Sequence, residues 1–339
     1  MLSRVAESIY WMSRYVERAE NVARFVDTNF NLMLDAQVIG EQWEPLVNTT
    51  GDHEDFAKRY GKATQEDVIH FLTFDQENPN SMFSCVRAAR ENARSIREII
   101  SSEMWEQINT FYLVVLNASG APSFERSPGF YNTVKEASHL FNGITDATMT
   151  HNEAWHFMQM GRLLERADKT SRMLDVKYYI LLRSALDIGS PIDEVQWAAV
   201  LRSASAFEMY RKRHGRIAPG DIVQFLLLDD EFPRAVRFCL NAARESLHAI
   251  TGTPQGGFRN SSEKLLGQLC SDLAYTQVEE VITRGLHEYL DDLQTRMNRA
   301  GGGIHETFFA LRVPGGAGKA GQVQTQGNGG QLQTQGNGR

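Results

Sequence analysis

The sequence predicts an all-α protein, built as a tandem duplication of one multi-helix bundle unit with pseudo-twofold packing of the two copies. Three observations carry this expectation. Apolar residues recur at helical spacing along most of the chain, clean β alternation is scarce, and long stretches repeat at a fixed offset. Residues 1–145 read as the first unit, 146–305 as the second, and 306–339 as a disordered Gly/Gln-rich tail.

Over residues 3–34, Trp11, Tyr15, Val22 and Val26 gather along one stripe, and charged residues take the rest of the circumference. Residues 81–116 behave alike, with Val86, Ala89, Ala93, Ile96 and Ile100 interleaved with Arg90, Glu91, Arg94 and Arg97. Further helices are expected over about 66–74, 130–142, 151–186, 191–211, 220–228, 232–250 and 260–298. The breaks between them follow turn chemistry. Residues 117–129, NASGAPSFERSPG, read as a loop whose Glu125 and Arg126 are placed to close over a groove. Gly189-Ser190-Pro191 ends one helix and lets proline open the next, and TGTPQGG at 251–257 makes another connection. Beyond Gly301 the composition turns to glutamine and glycine, and QTQGNG occurs twice.

The duplication is visible residue by residue. At an offset of 154, Lys58-Arg59, Gly61, Asp67, Phe71-Leu72, Asp75, Glu77 and Pro79 match Lys212-Arg213, Gly215, Asp221, Phe225-Leu226, Asp229, Glu231 and Pro233. Cys85 and Ala88-Ala89-Arg90-Glu91 then match Cys239 and Ala242-Ala243-Arg244-Glu245. At an offset of 148, Arg14, Glu17-Arg18-Ala19, Arg24 and Asp27 match Arg162, Glu165-Arg166-Ala167, Arg172 and Asp175, with Asp168 in place of Glu20. Each half therefore reads as three to five helices. Packing about a pseudo-twofold axis and one continuous bundle are both open at this level.

Bulk properties narrow the function classes. With 35 Lys+Arg against 42 Asp+Glu and a formal charge of −7, the chain lacks the basic excess of a general nucleic-acid surface. No run of 18 apolar residues suggests a membrane span, and the charged first twenty residues do not read as a secretion signal. Cys85, Cys239 and Cys270 lie too far apart for a metal knuckle or a disulfide framework, so a reducing cytoplasm is the expected compartment. Nothing calls for a cofactor.

The candidate site is the charged motif on the first helix of each half. At about 100° per residue, Arg14, Glu17, Arg18 and Asn21 share one face, extended by Glu20 and Arg24. Arg162, Glu165, Arg166 and Arg172 repeat it, and Arg90-Glu91 and Arg244-Glu245 offer a second pair in each half. Two arginines and a glutamate at i, i+3 and i+4 are expected to lock one another by charge-assisted hydrogen bonds. The arrangement reads as an interhelical ion network fixing helix register, as a receptor for carboxylate or phosphate, or as a docking face for a partner protein. Glu17 and Glu165 are the acid/base candidates of the motif, but a carboxylate held beside arginines makes a poor general base near neutrality. His151, Glu153 and His156 have the wrong spacing for a zinc helix, and no metal site is expected. The basic run at 211–216, echoed by Lys58-Arg59, reads as a helix end before a glycine stop or as an anion contact.

Tyr15-Val16-Glu17-Arg18-Ala19-Glu20 and Leu164-Glu165-Arg166-Ala167-Asp168, with residues 225–229 followed by Pro233-Arg234, resemble the bacterial alpha-E family over about residues 1–310. That family is a helical domain named for its Glu-Arg motif. Its members are typically encoded beside, or fused to, circularly permuted ATP-grasp proteins and transglutaminase-like proteins. The resemblance implies such partners, and a role as accessory or substrate-binding component of an ATP-dependent amide or peptide ligase. The alternatives are an enzyme in its own right or a helical scaffold.

Overall fold

A computed structural model describes residues 1–35, 43–120, 128–181 and 191–310. The loop candidates Glu125 and Arg126 and the tail from 311 onward lie outside the described residues. All regular structure among the described residues is helical. In chain order the helices are α1 (Ser3–Asp35), α2 (Glu44–Thr50), α3 (His53–Tyr60), α4 (Gln65–Thr73), α5 (Met82–Ser95), α6 (Ser102–Ser119), α7 (Pro128–Thr148) and α8 (Glu153–Leu181). They continue with α9 (Pro191–Ser203), α10 (Phe207–His214), α11 (Pro219–Val223), α12 (Val236–Thr251), α13 (Ser261–Tyr275), α14 (Val278–Arg284) and α15 (Leu286–Ile304). Two π-helical turns, Gln224–Leu228 and His305–Phe309, extend α11 and α15.

The long helices α1 and α8 pack against each other at the centre. α5 and α7 cover α1, while α12 and α15 cover α8. Two shorter helices cross over: α9, from the second half of the chain, packs on α1, and α2, from the first half, packs on α8. One residue makes the close approach of α1 and α8 feasible. A Cβ on Gly161 would lie 2.4 Å from the Tyr10 carbonyl oxygen and 2.5 Å from Ser13 Oγ, so only glycine fits there.

Local chemistry accounts for the helix ends. Thr64, Ser81, Ser101 and Asn260 accept hydrogen bonds from the backbone N–H three residues on, which satisfies donors that a helix start leaves open. Gly61 and Gly215 adopt left-handed φ values of 76° and 68° just after α3 and α10. Arg59 and Arg213, in the last turns of those helices, are tied down by carboxylates. Arg59 reaches Asp75 and Asp55 at 2.6 Å each, and Arg213 reaches Asp229 and Glu231 at 2.5 Å each. The repeated Lys-Arg-x-Gly segment is therefore an ion clasp in both halves.

Several boundaries differ from the expectation. The helix expected over 81–116 is two, because Ser101 caps a new start after Ile96–Ile100 has turned the chain. The 191–211 helix breaks at Ser205, whose φ of 49° no helix continues through. The 260–298 segment is three helices, with Gly285 (φ 98°) dividing the last two. α2 and α3 lie where no helix was expected, since each is under three turns and too short to display a period. Helical structure also runs to Phe309, past the boundary at 305, because Phe309 is buried beside Tyr10 and Phe157.

Candidate functional site

The stripe expected to face the core is there, with Val22 and Val26 buried and Trp11 and Tyr15 partly so. The opposite side of α1 is buried as well. Ile9, Met12, Val16, Ala19 and Ala23 are buried with it, and so are Glu17, Glu20, Asn21 and Arg24. α8 carries Glu165 and Asp168 into the same interface. The charged motif thus lies inside the molecule, where an unpaired carboxylate would be prohibitively costly.

The pairs that Glu17 and Glu165 make with the motif arginines cross between the two long helices. Within each helix Glu17 and Glu165 do not bond the neighbouring arginines of their own motif. Glu165 instead accepts from Arg18 Nε at 2.7 Å and Arg14 Nε at 2.8 Å, with Lys169 Nζ at 3.5 Å. Glu17 accepts from Arg166 Nη2 at 2.7 Å and Nε at 2.9 Å, and from Arg234 Nη1 at 3.1 Å. The crossing gives each carboxylate a two-point guanidinium fork that engages both of its oxygens. The mutual lock expected among Arg14, Glu17 and Arg18 gives way to pairs of the interhelical kind.

The second carboxylate in each motif is satisfied as well. Glu20 takes Arg24 Nη2 at 2.6 Å, the Ser138 hydroxyl at 2.6 Å and Arg234 Nη2. Asp168 takes Arg172 Nε at 2.9 Å and Lys169 Nζ at 3.1 Å. Burial alone would raise all four carboxyls, but the adjoining cations outweigh it. Arg166 and Arg234 hold Glu17 below the usual carboxylate range, Arg234, His139 and Arg24 hold Glu20 well below it, and Arg18, Arg14 and Lys169 do the same for Glu165. Asp168 is lowered by Arg172 and Lys169. Burial would lower the guanidinium pKa of Arg18 and Arg166, and Glu165 and Glu17 respectively raise it above the ordinary value. Proton transfer by either motif glutamate at neutral pH would have to break two or more charge-assisted bonds.

Of the residues picked from sequence, Arg14, Glu17, Arg18, Arg24, Glu165, Arg166 and Arg172 come together in this cluster. Arg162 lies beside it but takes a different partner: it donates to Gln159, its Nε has no hydrogen-bond partner among the described residues, and burial lowers its pKa. Arg90 and Glu91 pair with each other at 3.1 Å and lie outside the cluster. Arg90 sits one residue past the buried Ala89, turned about 100° toward α6, where it donates to Asn109 Oδ1 at 2.7 Å and lies 4.9 Å from the Tyr112 ring centre. Arg244 and Glu245, on α12, are not among the partners of the motif carboxylates, and the Arg244 Nε is buried without a hydrogen-bond partner among the described residues.

Asn80 and Lys169 are members that sequence reasoning missed, and Arg234 was noted only for the family resemblance and not placed in the charged motif. Asn80 accepts from Arg18 Nη1 at 2.7 Å. Asn80 and Arg234 each follow the repeated proline, at the 154 offset, and that shared position was the available signal. Among the described residues no group of three His, Cys, Asp or Glu side chains is arranged to hold a metal ion. His151 stacks on Trp155 at 4.2 Å, and Glu153 meets the N-terminal amine at 3.0 Å. No helix of the described residues is long and apolar enough to cross a membrane.

An all-α protein whose central pair of helices exchanges Glu-Arg ion pairs is the class that fold and cluster define. The family model described as Alpha-E, "a predicted alpha-helical domain with a conserved ER motif", matches residues 1–309, and the chain belongs to that family. Glu17-Arg18 and Glu165-Arg166 are two Glu-Arg pairs of this chain within that match. The chain is also similar to uncharacterized protein Rv2567 of Mycobacterium tuberculosis and uncharacterized protein Mb2597 of Mycobacterium bovis. Each is 22% identical over 339 residues, which cover 92% of this chain and 37% of the relative. The chain thus spans little more than a third of the length of these relatives. No solved structure matches significantly.

Proposed function

We propose that the chain is a non-catalytic component of an ATP-dependent amide or peptide ligase system, holding the substrate or docking a circularly permuted ATP-grasp partner. A transglutaminase-like protein would belong to the same system. The observation that carries the non-catalytic part is the saturation of Glu17, Glu20, Glu165 and Asp168 by cations, which turns the motif into a frame. The alternative of an enzyme using Glu17 or Glu165 as acid/base is disfavoured by the same bonds, because both carboxyls are held in the anionic form and covered. The partner assignment rests on the family resemblance. The longer relatives, most of whose length lies outside the shared region, fit a module that works beside another.

The frame is best understood as two duplicated units packed about a pseudo-twofold. The reciprocal pairs Arg18–Glu165 and Arg166–Glu17 support this, as do the exchanged positions of α2 and α9. So do Lys135–Asp27 and His287–Asp175, which tie α7 to α1 and α15 to α8 with partners at 2.7 and 2.8 Å. Ser205 and Gly51, both of positive φ and both beside the last arginine of a motif, are a further matched pair at the 154 offset.

The test is reconstitution from the purified full-length protein and the circularly permuted ATP-grasp protein of the same organism. Co-elution and a rise in ATP-dependent amide formation are expected. Separate elution with unchanged ligase turnover would overturn the reading, and amide chemistry by the helical protein alone, lost in Glu165→Gln with the fold intact, would replace it with the enzymatic one.

A further inference from the structure

A cavity of about 260 Å³ opens where the end of α15 passes the motif face of α1. Trp11 and Arg14 form one wall, Met297 and Asn298 another, and Asp168 lies at the back. The backbone of Gly301 and Gly302 supplies the floor, and His305 of the following π-helical turn stands at the edge.

The Gly301-Gly302-Gly303 run is costly within a helix, by about 1 kcal/mol per residue relative to alanine. Packing accounts only for the third: a Cβ on Gly303 would come within 3.1 Å of Leu265 Cδ1 and 3.4 Å of Ser262 Cα. A Cβ on Gly301 or Gly302 would meet nothing within 4 Å. Packing therefore does not require glycine at those two positions, both of which line the cavity.

Arg14 gives the cavity its chemistry. Its Nε is committed to Glu165 and its Nη1 donates to the Tyr10 hydroxyl at 3.2 Å, while Nη2 has no partner among the described residues. The guanidinium carbon lies 4.9 Å from the Trp11 ring centre, which fixes its plane. At the matching position of α8, Arg162 is instead taken up by Gln159, which is itself held to Asp146 Oδ1 at 3.1 Å. The guanidinium next to the glycines is thus left with an open edge, while its counterpart Arg162 is held at Nη2 by Gln159 and keeps a buried Nε without a partner among the described residues.

We propose that this cavity binds a small monocarboxylate carrying an apolar or aromatic group, the size of one acylated amino acid. A single open guanidinium edge pairs with one carboxylate. The Asp168 carboxylate repels a second negative charge, which disfavours phosphate esters and dicarboxylates. Trp11, Met297 and Phe309 supply apolar contact. The volume of about 260 Å³ falls below the roughly 300–1,000 Å³ of pockets for drug-sized ligands, which fits a ligand of amino-acid size. The proposal does not depend on the ligase assignment, and the purified protein alone tests it.

The experiment is calorimetric titration of the full-length protein with N-acetylphenylalanine, with its amide, and with the tripeptide Ala-Ala-Phe. Saturable binding of N-acetylphenylalanine is expected, with the amide about tenfold weaker because it loses the charge-assisted pair. Gly302→Leu and Gly301→Leu fill the floor and should abolish binding, while circular dichroism and melting temperature stay at or above wild type because leucine is the better helix former. Tripeptide binding as tight as that of the acetylated residue would assign the site to the carboxyl ends of peptides, and weaker tripeptide binding would assign it to free acyl amino acids. Absence of saturable binding by N-acetylphenylalanine, equal binding of its amide, or undiminished binding by both leucine variants would overturn the proposal.

Discussion

Arg18 of the first central helix forks onto Glu165 of the second, with Nε at 2.7 Å from Oε1 and Nη2 at 3.1 Å from Oε2. Arg166 returns the same two-point contact to Glu17. The Glu-Arg dipeptide is thus divided between two contacts, each residue serving the opposite helix. Since Glu17 and Glu165 are fully buried, the exchange is a condition of docking α1 on α8 at all.

Removing one member of this exchange should be severe. Glu165→Gln leaves Arg14, Arg18 and Lys169 facing a neutral amide in a buried setting, and breaking such a pair costs about 3–5 kcal/mol. Arg90→Ala, outside the cluster and partly exposed, should cost no more than about 1 kcal/mol. Urea denaturation of both variants reads the difference. Equal midpoints would show that the exchanged pairs do not hold the halves together.

Gly161 should tolerate no side chain. The Cβ of Gly161→Ala would sit 2.4 Å from a backbone oxygen of α1, which has no rotamer to change. Overpacking typically costs about 1–3 kcal/mol, and this site belongs at the upper end. Gly143, with nothing within 4 Å of an added Cβ, is the matched control on α7. There, alanine should leave stability unchanged or raise it by up to about 1 kcal/mol. Thermal melts that rank the two variants in the other order would place the α1–α8 contact elsewhere.

How much of this was legible beforehand differs element by element. α1 and α8 declared themselves, because more than seven turns of period and a repeated Glu-Arg face are hard to mistake. The partner of that face was not legible: angular position says that Glu17 and Arg18 point one way, and is silent on what stands opposite. Gly161, whose missing side chain lets the two helices approach closely, gave no signal in the sequence of which pairs would form. α2 and α3 went unseen since seven and eight residues carry little periodicity. Arg234 was hidden for a different reason. Its copy is Asn80, so searching for repeated charge passed over a position where the halves use different side chains for related tasks.

Acid should weaken the fold through the same carboxyls. Glu17, Glu20, Glu165 and Asp168 all titrate lower in the folded chain than in the unfolded one. Their stabilisation is therefore complete above the ordinary carboxylate range, around pH 4 to 4.5, and is lost as pH falls through the depressed values. Asp175 runs the other way, since burial outweighs its contact with His287 and raises its pKa, but it is one group against four. The melting temperature should hold from pH 7 to about 5 and fall steeply below about 4. A flat profile down to pH 3 would contradict the depressed values, and Glu165→Gln should shallow the fall.

The three cysteines should be inert toward alkylation until the chain unfolds. Burial pushes the thiols of Cys85 and Cys239 up to about 12 and that of Cys270 up to about 11, so almost no thiolate exists near pH 8. Access is closed too, with Cys85 and Cys239 fully covered and Cys270 2% exposed. Cys85 and Cys239 share a local reason for their burial: each thiol lies near the carbonyl of the repeated proline, at 3.8 Å from Pro79 O and 3.4 Å from Pro233 O, under the turn that delivers Asn80 or Arg234 to the cluster. Labelling by iodoacetamide therefore reports on that turn. Native protein should take up no label on Cys85 or Cys239 over hours, and Glu165→Gln, which frees the Arg18–Asn80 side, should expose Cys85 before Cys239. Mass spectrometry of partially labelled protein measures the order. Simultaneous labelling of both would mean that the two turns open as one unit with the whole fold.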